Sequence, residues 1–134
     1  MEILERFGPL VGRLLIAAIF LFAGLHKVAG FEGTVGYIAA KGVPFPALAA
    51  IAAIIVEIGC GMLLVIGWKA RWAAALLFFF TALAALIFHD FWAAPADQVQ
   101  NQMIHFMKNV SMMGGLLYVV VHGSGPFSLE RTRS

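Results

Sequence analysis

Charge is what this sequence has least of. Only 12% of its 134 residues are Asp, Glu, Lys or Arg, while 62% are hydrophobic. A soluble domain of this size carries about a quarter charged residues, and polar groups this scarce cannot cover a surface in water. Lipid is the solvent the composition fits, in line with a mean hydropathy of +0.93. No run of Lys and Arg is long enough to suggest a nucleic-acid partner. The formal charge of +2 and pI near 9.0 are therefore read as membrane topology.

Cysteine is almost missing too. Cys60 stands alone, which excludes an internal disulfide, a CxxC redox pair and a thiolate zinc site. Within Glu57-Ile58-Gly59-Cys60-Gly61 it reads as a packing residue of an apolar helix. No internal repeat, low-complexity segment or second domain is visible, so residues 1–134 read as one transmembrane domain.

What is present is four long apolar stretches: Pro9–Val28, Ala47–Gly67, Ala70–Trp92 and Met103–Val121, the last entered from residue 98. Each approaches the ~20 residues that cross a bilayer core. The fold class expected is all-α: an integral membrane antiparallel four-helix bundle. A cleavable signal peptide fits the first stretch less well, since no small-x-small site follows and Lys27 interrupts its end. Arg6, Lys69, Arg71, Arg131 and Arg133 flank one side, Lys27 and Lys41 the other. The positive-inside rule then places both termini and the Trp68–Arg71 turn in the cytoplasm. Trp68 and Trp72 mark the inner interface, Phe91 and Trp92 the outer.

Phe31, Val35, Ile38 and Ala39 recur at helical spacing, so a short interfacial helix is expected on the outer surface, ended by Gly42, Pro44 and Pro46. Asp97-Gln98-Val99-Gln100 reads as a capping box opening the last helix. Pairs such as Ala49/Ala53 and Ala70/Ala74 let membrane helices pack closely.

Ionisable groups inside a bilayer are costly and need a partner or a function. The candidate site residues are Arg13, Glu57, His89, His105, Lys108 and Asn109, with His26, Lys27 and Asp90 near the outer helix ends. Arg13, Phe20, Gly24 and Lys27 share one stripe; Asn101, His105, Lys108, Met112 and Gly115 share another. On a structural reading, Arg13 and Lys27 snorkel to the interfaces, and Glu57 pairs with Lys108 or with Arg13 to fix helix register. On a functional reading, the six residues line an interior pocket, open to the outer side, for a small polar or quinone-like ligand. His89 and His105 would handle protons there, since histidine titrates near neutral pH. Two histidines without carboxylates make a poor metal site, and no spacing demands a bis-histidine haem.

At these residues the chain resembles the DoxX family of small bacterial and archaeal membrane proteins. The matching pieces are Gly12-Arg13, Phe20-Leu21-Phe22-Ala23-Gly24-Leu25-His26-Lys27, Gly42-Val43-Pro44-Phe45-Pro46, Val56-Glu57-Ile58-Gly59-Cys60-Gly61, Lys108-Asn109 and Gly125-Pro126-Phe127-Ser128-Leu129-Glu130. The resemblance implies a four-helix membrane fold. Through family members associated with archaeal quinol oxidase and thiosulfate:quinone oxidoreductase, it also implies a quinone, redox or oxidative-stress setting. Three functions follow as expectations: an accessory or quinone-binding membrane protein, a quinone-linked oxidoreductase subunit, and a small transporter or oligomeric channel. The first fits best, because no electron-carrying cofactor can be assigned and alternating access usually uses repeated halves. The expected partners are the lipid bilayer, further copies of the chain or subunits of a redox complex.

Overall fold

The computed structural model describes residues 1–130; Arg131 and Arg133, counted above for the topology, lie outside the described residues. Five α-helices form it: α1 (Glu2–Ala29), α2 (Phe31–Ala40), α3 (Pro46–Ile66), α4 (Ala70–Phe88) and α5 (Val99–His122), with a 3-10 turn at Phe91–Ala93. α1, α3, α4 and α5 are long and apolar enough to cross a membrane. They form an antiparallel bundle, and the short α2 packs across one end of it, against α3.

The boundaries follow local chemistry. α1 starts at Glu2, ahead of the apolar run, and Glu2 and Glu5 occupy its first turn, where acidic groups complement the helix dipole. Pro46 opens α3 with its backbone angle already set. Gly67, at φ 67°, ends α3 in the left-handed region, and the Gly67 and Trp68 N–H groups cap the Leu64 and Leu63 carbonyls. The expected Asp97 capping box is not what starts α5. Gln98 holds the cap position without a side-chain bond. Instead, the Pro95 carbonyl accepts from the Gln98 and Val99 N–H groups at 2.8 and 3.1 Å, so a tight turn leads into the helix.

Small residues set the packing. Gly24 lies against Glu57 and Ile58, Gly61 against Leu21 and Ala17, and Gly115 against Ile16. The core is Ala17, Phe20, Cys60, Leu64, Ala73, Ala74, Leu77, Leu116 and their neighbours. Leu15, Phe22, Ile55 and Phe79 point outward, as lipid-facing side chains should. α1 packs mainly on α3 and α4 mainly on α5, whereas α1 touches α5 only lightly.

The register of α1 against α3 is displaced. Arg13 lies opposite Leu64, near the end of α3, and Gly24 lies opposite Glu57. The first eleven or so residues of α1 therefore project past α3. The tail beyond α5 covers them: Phe127 stacks on Phe7 at 5.2 Å, and Gly125 packs on Pro9.

Candidate functional site

The displaced register brings Lys27 down to the depth of Glu57. Lys27 Nζ sits 3.0 Å from Glu57 Oε1, to which it donates, and 2.9 Å from Oε2. The Glu57 side chain is 6% exposed and that of Lys27 28%. Neither partner expected for Glu57, Lys108 or Arg13, makes this contact. Gly24 allows it, because a side chain there would collide with Ile58 and crowd the stem of Glu57.

Arg13 does not snorkel; it is 1% exposed. Nη1 donates to the Leu64 carbonyl at 3.0 Å, and Nη2 to the Phe127 and Pro126 carbonyls at 2.9 and 3.4 Å. The cation meets the negative end of the α3 dipole while anchoring the tail. Leu129 and Glu130 N–H groups then donate to Ile66 and Gly67, both at 3.0 Å. Phe127 adopts φ 57° here, a left-handed conformation that turns its carbonyl toward Arg13. Arg13 is a structural clasp.

The remaining polar residues gather at the α2 end, between α4 and α5. His89 caps the end of α4, and its Nδ1 is 3.0 Å from Gln102 Oε1. With the Gln102 oxygen accepting, Nδ1 carries a proton. The His105 ring stacks on His89 with centroids 5.2 Å apart. Phe91, Trp92 and Phe106 pack edge to face beside them, at 5.2 to 5.9 Å. Lys41 closes the same end by pairing with Asp90 at 2.7 Å.

Lys108 and Asn109 lie about one turn deeper on α5, Lys108 exposed and Asn109 half-buried. Among the described residues Lys108 has no ion-pair partner. The six residues named from the sequence thus divide into three places. Glu57 is in the α1–α3 contact, Arg13 at the end bearing the chain termini, and His89, His105, Lys108 and Asn109 toward the α2 end along α5. They do not line one interior cavity. Gln102 and Lys27 were passed over as site residues: Gln102 looked like part of a polar first turn, and Lys27 like an end-of-helix cation.

α5 carries most of this chemistry and has the least cover. It is the least apolar of the four spans, yet 11% of its membrane-crossing stretch is buried, against 22 to 28% for the others. A polar face open to lipid can take up headgroups that arrive laterally.

Comparison with known proteins agrees with this architecture. The DoxX family model matches residues 8–90. The inner membrane protein YphA of Escherichia coli is 41% identical over 122 residues, covering 91% of this chain and 87% of that protein. The inner membrane protein YqjF of the same organism is 35% identical, covering 98% and 95%. A Surfeit locus protein 4 homolog of Schizosaccharomyces pombe is 31% identical over 96% of this chain but 38% of its own length. No solved structure matches the chain. With its family model matched over more than half its length, and four spanning helices in one bundle, the chain belongs to the DoxX family of integral membrane proteins.

Proposed function

We propose that this protein binds a lipid-soluble ligand with a polar, hydrogen-bond-accepting headgroup, a quinone being the type, at the α2 end of α5. The observation that carries the reading is the position of Lys108. It is a cation within a spanning helix, exposed and without an ion-pair partner among the described residues. Isolated charges at the centre of a bilayer cost at least ~2.5–3.5 kcal/mol, so a partner from the lipid phase would relieve it. Side chains of a helix lean toward its N-terminus, which directs Lys108 up toward His105 and the His89–Gln102 pair. Lys108 would meet a carbonyl oxygen of the headgroup, and the His89–His105 pair would exchange protons with a reduced form. The role is that of an accessory binding protein in membrane redox or oxidative-stress metabolism.

The test is a titration of delipidated protein in detergent with a short-tailed ubiquinone analogue, read by tryptophan quenching. Trp92 packs edge to face on Phe106, the residue after His105 in α5. Quenching should be saturable and should weaken about tenfold or more in Lys108→Met and His105→Ala, with helicity unchanged. Identical titrations for wild type and both variants would defeat the proposal.

The bundle sits in a bacterial or archaeal inner membrane with both termini in the cytoplasm. Arg6, Lys69 and Arg71 share the end bearing the chain termini, and Lys69 and Arg6 lie over the Trp68 and Phe127 rings at 5.0 and 5.6 Å. Whereas a cysteine at residue 97 should react with impermeant thiol reagents in intact cells, one at the exposed residue 2, each in a Cys60→Ala background, should resist them. Rapid labelling at residue 2 would reverse the orientation.

A second occupant of the α5 face is supported by Gly114, beside which the structure leaves open space. A helix of a redox partner would fit there, and co-purification of a stoichiometric second chain would favour it.

A further inference from the structure

A cavity of about 130 Å³ opens at the end bearing the termini, where α4 begins and α5 ends, lined by Arg71, Trp72, Gly123, Ser124 and Glu130. It is separate from the polar face of α5 at the opposite end. Two features make it a built place rather than a gap. Gly123, at φ 80°, lets the Arg71 guanidinium lie against the backbone, since a Cβ there would meet Nε at 3.1 Å and Nη2 at 3.3 Å. The tail side of the lining is fixed by Ser124, whose buried hydroxyl donates to the Glu130 carbonyl at 3.2 Å, and by the Glu130 N–H, which donates to the Gly67 carbonyl.

Arg71 and Glu130 line this cavity together without making an ion pair with each other. The two ion pairs among the described residues, Lys27–Glu57 and Lys41–Asp90, lie elsewhere. A cationic and an anionic residue bordering one small space offer the complement of a zwitterion. The exposed Trp72 stands beside it, 78% accessible, as an interfacial anchor toward the acyl region.

We propose that this cavity is a binding site for a zwitterionic phospholipid headgroup of the phosphoethanolamine type. Arg71 receives the phosphate, as a guanidinium fork suits two phosphate oxygens. Glu130 receives the primary ammonium, whose N–H donors a choline headgroup lacks. The acyl chains run out past Trp72.

The experiment is native mass spectrometry of the full chain released from bilayers of matched acyl composition. These hold equal amounts of ethanolamine, choline and glycerol phospholipid. Wild type should retain the ethanolamine lipid about tenfold over the other two, the margin of one well-made charged hydrogen bond. Arg71→Gln should lose retention of every phospholipid. Glu130→Gln, whose backbone bonds to Gly67 and Ser124 are untouched, should keep lipid but lose the preference for ethanolamine over choline. Equal retention of the three lipids by wild type would overturn the proposal, as would either variant behaving like wild type. A third overturning result is soluble phosphoethanolamine displacing the lipid at equal concentration, which would mean that the membrane is not the source.

Discussion

At the scale of single residues, the Lys27–Glu57 pair makes the sharpest statement. Removing one member of a buried pair costs roughly 3–5 kcal/mol, while removing both is often close to neutral. The two single losses should differ here. Lys27→Met strands a carboxylate in the α1–α3 contact, whereas Glu57→Gln leaves an ammonium on a long stem that can bend toward the interface. Thermal unfolding in detergent should rank Lys27→Met below Glu57→Gln, with the double variant recovering most of the loss. A double variant as unstable as the two losses summed would show that the pair is not coupled. That Glu57 needs a partner was legible in the sequence, because a lone carboxylate in an apolar helix is too costly to leave uncompensated. Which partner was not, since it depends on how far α1 slides along α3. Contacts of Gly24 and Gly61 across the helices set that displacement, and spacing within one helix carries no trace of it.

Helices and loops were more legible than individual contacts. Apolar runs of spanning length marked all four long helices, and the spacing of Phe31, Val35 and Ile38 marked α2. The tail escaped such reasoning. Residues 124–130 have no periodic pattern and are held by long-range bonds that Arg13 donates to them and that they donate to the end of α3. Family resemblance alone singled out Gly125–Glu130, and the clasp supplies its physical meaning. Hydrogen bonds to charged groups are worth ~1.5–3 kcal/mol each. Arg13→Lys, with a shorter reach and no fork, should lose about one such bond, and Arg13→Met all of them. Chymotrypsin cleavage after Phe127 in detergent should be slow in wild type, faster in Arg13→Lys and fastest in Arg13→Met. Equal cleavage in all three would dismiss the clasp.

For the whole molecule, the polar residues fall at two ends and one contact rather than in a single core. The sequence favoured a common interior because all four spans carry polar residues, two of them in stripes, and a closed bundle leaves nowhere else for them. The structure offers another place. α5 is poorly covered by α1, so His105 and Lys108 stay accessible from the lipid side of the bundle. On the proposed function, activity depends on what the bilayer delivers to α5. A quinone carrying a photoactivatable group on its tail, reconstituted with the protein and mapped by peptide mass spectrometry, addresses this most directly. Adducts should concentrate on residues 104–118 and disappear with excess unlabelled quinone. Equal, uncompeted labelling of the lipid-facing residues of α1, α3, α4 and α5 would contradict binding at α5.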